Sequence, residues 1–290
     1  MKTKNLIFPA RLLLWISTLC ACACMVVPVE AAAPKKVLVV TVTHGFRHSS
    51  IPTGEKVLGE LAQKSGAFTV DYVRTDEEMA QKMTPAALKN YDGVIFENTT
   101  GGKGQQGGDL PLPDKQAFLD WIKSGRGFIG MHSAADTFRG YVPLDPYVEM
   151  LGAEFKSHDP KQAEVDCINE DAKHPACRDL PATFHVKDEI YLMNGFDRST
   201  VHPLLMLDKR RNTGAPGEYP IAWCKEYGKG RIFYTSLGHR EDVWTPDTPE
   251  GFKRENSKEV AELYQKHILG GIKWALGLEE GSAKPDGEKK

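Results

Sequence analysis

Lys36 to Val42 is an almost unbroken β-branched run, the pattern of a parallel strand buried on both faces. A helical stretch follows from Ile51 to Lys64, with Ser50 placed to cap it and Pro52 in its first turn. The alternation then repeats as strand Phe68 to Val73, a helical segment around Thr84 to Asn90, strand Gly93 to Glu97, helix Pro113 to Ser124 and strand Gly127 to Met131. Strand, helix, strand at this spacing requires right-handed crossovers, so the expected fold is α/β with a doubly wound, mainly parallel sheet. Ala163 to Tyr234 is strand-rich instead, and Ser257 to Leu276 returns to a helix ending near Gly277. The second half therefore reads as a β-rich C-terminal extension of the α/β core.

In an open parallel sheet, ligands bind beyond the carboxyl ends of the strands. Those positions carry Thr43-His44-Gly45-Phe46-Arg47-His48, Glu97-Asn98-Thr99-Thr100, and Gly130-Met131-His132-Ser133-Ala134-Ala135-Asp136, and the expected last strand (Arg231 to Ser236) ends in Leu237-Gly238-His239. Histidines, an arginine and a carboxylate thus fall on one rim. Imidazoles titrate near neutral pH and exchange protons at working pH, so His132 and His239 are the leading catalytic candidates. Asp188 and Glu189 lie in a strand-like context where neighbours point to opposite faces; Glu189 is assigned to the cleft and Asp188 to a structural role. Arg47 and His48 precede a helix N-terminus, a place suited to polar or anionic groups, and with Asn98 and Asp136 are candidate substrate contacts. Trp223 is either a sugar-stacking platform or core.

A metal is the alternative to a cofactor-free site, with His132, His158 and His239 as ligands and His44 in reserve, although no compact H-E-x-x-H spacing is present. No G-x-G-x-x-G follows the first strand, so a dinucleotide cofactor is not expected. Thr100 to Asp109 lacks a G-K-[ST] ending and is expected to form a mobile flap over the rim. Ser133 sits out of frame for a G-x-S-x-G elbow, because His132 is the residue two after Gly130. It is expected to cap the following helix.

The amino terminus places Lys2, Lys4 and Arg11 before an apolar run from Leu12 to Val27, then Ala31-Ala32-Ala33. That is a secretory signal peptide over residues 1–33, which implies a periplasmic or extracellular protein. Leu19-Cys20-Ala21-Cys22 also approximates a lipoprotein cleavage pattern, leaving lipid anchoring open. Removing these residues takes away three basic groups and one acidic group, and a balance of about −4 remains. Nothing there suits nucleic acid. About 255 residues remain, enough for one large domain (34–278), with the charged stretch 279–290 expected to be a disordered tail. Cys167, Cys177 and Cys224 also remain, so at least one thiol is unpaired, and spacing alone leaves a Cys167 to Cys177 bridge open.

Phe46-Arg47-His48-Ser49-Ser50-Ile51, Gly127-Phe128-Ile129-Gly130-Met131-His132-Ser133-Ala134-Ala135-Asp136, Phe155-Lys156-Ser157-His158, Asp188-Glu189-Ile190-Tyr191, Pro220-Ile221-Ala222-Trp223 and Leu237-Gly238-His239, taken in order, resemble the ThuA-like (trehalose utilisation) family. The resemblance spans nearly the whole chain after the signal peptide. It implies a flavodoxin-like sheet of the class I glutamine amidotransferase-like type. No cysteine stands at the turn after the strand ending at Met131, where that fold carries its nucleophile, so glutamine hydrolysis through a thioester is not expected. The resemblance further implies carbohydrate metabolism, with 3-keto glycosides made by a partner sugar dehydrogenase as the expected substrates. A keto group acidifies the adjacent ring C–H, so a histidine or glutamate base and an acid suffice. A non-catalytic carbohydrate-binding protein is the competing class.

Overall fold

The computed structural model describes Met1 and residues 33–210, 214–248 and 251–286. The expected signal peptide falls almost wholly outside them. Among the described residues, no helix is long and apolar enough to cross a membrane.

The first half runs β1 (Lys35–Val40), α1 (Ile51–Ser65), β2 (Phe68–Val73), α2 (Asp76–Lys82), α3 (Pro85–Leu88) and β3 (Gly93–Glu97). It continues through β4 (Gly101–Gly102), α4 (Lys115–Lys123), β5 (Gly127–Met131), a 3-10 turn (His132–Asp136), β6 (Thr137–Arg139) and α5 (Pro146–Leu151). Then come β7 (Glu154–His158), β8 (Ala163–Asn169), β9 (Thr183–Asp188), β10 (Tyr191–Asn194), β11 (His202–Lys209), β12 (Pro216–Tyr227), β13 (Gly230–Thr235), α6 (Glu241–Trp244) and α7 (Lys258–Ala275).

One nine-stranded sheet has the order β2-β1-β3-β5-β13-β12-β11-β8-β9. Its β2 to β13 half is parallel throughout, and β12, β11, β8 and β9 add antiparallel to it. The β-rich segment is therefore no separate extension: β13 returns beside β5, and its neighbour β12 carries the ladder onward. Strand β1 shows why helices cover both faces. Val37 and Val39 enter one apolar layer with Val57, Leu58 and Ile268, while Leu38 and Val40 enter the other with Met79, Phe118 and Ile122. Helices α1 and α7 thus lie on one face, and α2 and α4 on the opposite face.

Four local expectations are corrected. Ser50 makes no side-chain cap to α1; its hydroxyl donates to Gly238 O at 3.0 Å and accepts from Asn98 Nδ2 at 3.2 Å. Ser133 caps no helix, because the 3-10 turn has Met131 at its N-cap. The Thr100 to Asp109 segment is pinned: β4 pairs with β6, Gly107 N donates to His44 O, and Gln105 Nε2 donates to Asp136. Residues 279–286 pack on the body instead of forming a free tail. Trp274 Nε1 donates to Gly281 O, His202 Nδ1 to Lys284 O, and Arg198 pairs with Asp286. All three cysteines outside the amino-terminal segment are buried and free, with no Cys167 to Cys177 bridge.

Candidate active site and metal centre

Four chain segments deliver one side chain each to the carboxyl edge of the parallel strands: His48 after β1, His132 after β5, Glu189 after β9 and His239 after β13. One ligand atom from each lies within 4.8 Å of all the others. The cluster borders a cavity of about 270 Å³ lined by Phe46, His48, Asp136, Phe155, His158, Glu189, Tyr191 and His239.

His132 stands at the turn that ends β5, with φ +46°. A left-handed non-glycine residue there is costly, and such strain is retained where surrounding contacts over-determine it. Here Tyr234 Oη donates to the His132 carbonyl at 2.8 Å, and the ring Nδ1 is 2.7 Å from Ser236 O. A carbonyl only accepts, so Nδ1 carries the hydrogen. In the neutral ring Nε2 keeps the lone pair, the arrangement that orients metal-binding histidines.

Nε2 of His132 lies 3.5 Å from Glu189 Oε2, and Nδ1 of His239 lies 3.4 Å from the same oxygen. These contacts are long for charge-assisted hydrogen bonds, which run about 2.7–2.9 Å. They match the roughly 3.4 Å separating two ligands that each stand about 2.1 Å from a tetrahedral ion. His239 Nδ1 is buried with no hydrogen-bond partner among the described residues.

The electrostatics agree. His48 is pushed down to about 2, first by burial and then by the facing His132 and His239, so it is neutral at working pH. Its Nδ1 lies 3.3 Å from Ser133 Oγ, and a neutral ring keeps a nitrogen lone pair for a ligand. Burial alone would raise Glu189, but His132 and His239 outweigh it and hold this carboxylate well below its usual range. Burial likewise opposes charge on His239, yet Glu189 and Asp188 raise its pKa. Three imidazole nitrogens and one anionic oxygen form a donor set suited to a borderline divalent ion such as zinc.

The remaining candidates are sorted by the geometry. Asp188 is structural, accepting from the backbone N–H groups of Glu189, Gly238 and Arg240. Asp136 reaches the cavity, anchored by Arg139 and by Gln105 Nε2 at 3.0 Å. His158 is near but outside the four-residue cluster: its Nδ1 is 2.8 Å from Asp159 O and 3.4 Å from Glu189 Oε1.

Asn98 is no substrate contact; it is fully buried with φ +51°, and its amide donates to Glu97 Oε1 at 2.7 Å and to Ser50. Arg47 turns back to Thr41 O at 2.9 Å and does not line the cavity, and His44 pairs with Asp76. Trp223 is core, fully buried with its indole N–H on Leu151 O at 2.8 Å. Both faces of β12 are covered there, so Phe46, Phe155 and Tyr191 supply the cavity's aromatic walls instead. Tyr191 was missed in the sequence, although it shares strand parity with Glu189.

Fold and site together define an α/β protein with a histidine and carboxylate cleft at the carboxyl edge of its parallel strands. A model of the ThuA family, described as trehalose utilisation, matches residues 36–275, and the chain belongs to that family. Among solved structures, a ThuA-like protein from Parabacteroides merdae aligns with TM-score 0.62 at 20% identity, covering 87% of this chain and 94% of that one. One from Bacteroides uniformis aligns with TM-score 0.63 at 20% identity, covering 88% and 97%. A cytoplasmic protein from Salmonella typhimurium aligns with TM-score 0.52 at 13% identity, covering 83% and 99%. At these identities the likeness is one of fold. No curated protein matches the sequence.

Proposed function

We propose that this protein is an exported sugar-processing enzyme whose cleft holds a divalent cation on His48, His132, Glu189 and His239. The observation that carries the reading is the convergence of those four side chains, with two nitrogens 3.4 and 3.5 Å from one Glu189 oxygen. When bound, such a cation supplies Lewis-acid polarisation of a substrate oxygen.

The chain's own residues do the rest. Phe46 and Phe155 offer apolar faces for a sugar ring, and Asp136, fixed by Arg139 and Gln105, accepts a sugar hydroxyl. His158 serves as proton carrier: its Nδ1 hydrogen is engaged by Asp159 O, so in the neutral ring Nε2 is the acceptor. The substrate we favour is a keto sugar such as a 3-keto glycoside, supplied by a sugar dehydrogenase, because the keto group makes the adjacent C–H acidic enough for one histidine. Family membership supports the sugar, and the basic, apolar, small-residue amino terminus supports export.

We also read the parallel order β2-β1-β3-β5-β13 as the flavodoxin-type arrangement of class I glutamine amidotransferases, with His132 at the position of their nucleophile. A cofactor-free reading, with His239 and Glu189 as the acid and base, draws on their opposed pKa shifts.

The test is turnover of 3-keto glycosides against the unoxidised glycosides, on protein stripped of metal and then resupplied. Activity on the keto substrate that disappears with the metal and returns with it supports the proposal. Full activity in the stripped protein favours the cofactor-free pair, and ligand binding without turnover on either substrate class assigns a binding protein.

A further inference from the structure

The hydroxyl of Tyr191 lies 3.0 Å from His132 Nε2, on the lone pair that a cation would need. The hydrogen-bond roles follow from the partners. Ser236 O fixes the hydrogen of His132 on Nδ1, so in the neutral ring Nε2 accepts and the tyrosine donates. Tyr191 is 3% exposed, its ring packed 4.3 Å from His132 and 4.4 Å from Phe155. A buried hydroxyl left without an acceptor is costly, which is why it takes the imidazole nitrogen. One lone pair cannot serve both an O–H and a metal ion.

Resting on the cation site proposed above, we infer that Tyr191 is an exchangeable donor: it caps His132 Nε2 in the metal-free site and turns to a substrate oxygen once that nitrogen is ligated. Tyr191 lines the same cavity as Phe46, Asp136 and Glu189. The acceptor that replaces the nitrogen is therefore an oxygen of the bound sugar, and a carbonyl oxygen suits a neutral donor. Filling the metal site and arming the substrate donor become one event.

The experiment titrates metal-free protein, wild type and Tyr191→Phe, with Co²⁺ against a chromophoric chelator, and measures steady-state kinetics on the keto sugar. Removing the competing hydroxyl is expected to tighten Co²⁺ binding about fivefold. The same change is expected to lower kcat about 100-fold with KM little changed, as for loss of a donor to a developing oxyanion. In the wild-type protein, Co²⁺ should also perturb the tyrosine ultraviolet difference spectrum, a signal absent from Tyr191→Phe. Equal or weaker Co²⁺ binding in Tyr191→Phe, with normal binding in wild type, overturns the exchange and leaves the cation site standing. No binding in wild type overturns both.

Discussion

Consecutive residues, His239 and Arg240, belong to two polar clusters built on opposite terms. Around Arg240 every demand is met: Asp242 accepts from Arg240 Nε and Nη2 at 2.9 Å each, and from Glu255 N, Asn256 N and Asn256 Nδ2 at 2.6 to 2.9 Å. Around His239 two imidazoles, its own and that of His132, stand 3.4 and 3.5 Å from one Glu189 oxygen, and the buried His239 Nδ1 has no hydrogen-bond partner among the described residues. Buried polar groups in folded proteins are normally paired. The Asp242 network holds α6 and the approach to α7 together. The histidine cluster brings four ligand atoms within 4.8 Å of one another without satisfying all of them, the condition for binding something from outside.

The contrast breaks first if the histidines prove structural. His239→Ala, and His132→Asn chosen because asparagine tolerates a left-handed backbone, should lower kcat/KM on the order of 10³-fold, the scale of lost Lewis-acid assistance. Their unfolding free energies should stay within about 1 kcal/mol of wild type. A large loss of stability with catalysis retained per folded molecule would place these residues in the fold instead.

The complementary change is Asp242→Ala. It removes the carboxylate that takes two N–H groups of the buried Arg240 guanidinium, which keeps Glu255 at 3.4 Å, and should cost about 3 kcal/mol in denaturant unfolding, while folded molecules keep their metal affinity. A smaller expected effect concerns pH. Burial opposes charge on Asp242, but Arg240, Glu255 and Asn256 prevail and bring it to about 2. Its folded pKa lies below the unfolded value of about 3.9, so the carboxylate stabilises the protein above pH 4. That contribution, about 2 kcal/mol, is lost as pH falls toward 2. Unfolding curves across that window should be shallower in Asp242→Asn than in wild type, the remainder coming from other depressed carboxylates such as Glu189.

The smallest effect separates the aromatics. Phe46, 65% exposed at the cavity wall, should raise KM a few-fold when changed to Ala, about the worth of one stacking face. Trp223→Phe should weaken folding and leave KM unchanged, and a KM effect there would reopen the stacking role.

Much of this was legible in the chain. β3 and β5 begin and end where their apolar runs do, and the strand-end rule picked out His48, His132 and His239. Alternation chose Glu189 over Asp188, and carried two residues further it would have found Tyr191. Helix α2 escaped because Met79 alone among its residues is buried, leaving no apolar period to read. Its signal was the cap, Thr75 accepting from Glu78 N ahead of three acidic residues. Asn98 and Arg47 share the rim's composition, and only the three-dimensional arrangement shows them turned to Glu97 and Thr41. The tail defeated composition for a similar reason: its partners Arg198 and His202 come from distant segments.

The account rests on the cluster holding a cation, and metal analysis of untagged protein purified without chelator tests that most directly. About one divalent metal per chain is predicted, lost in His239→Ala and retained in Asp242→Asn. A wild-type protein that turns over a keto sugar with no metal bound would contradict it.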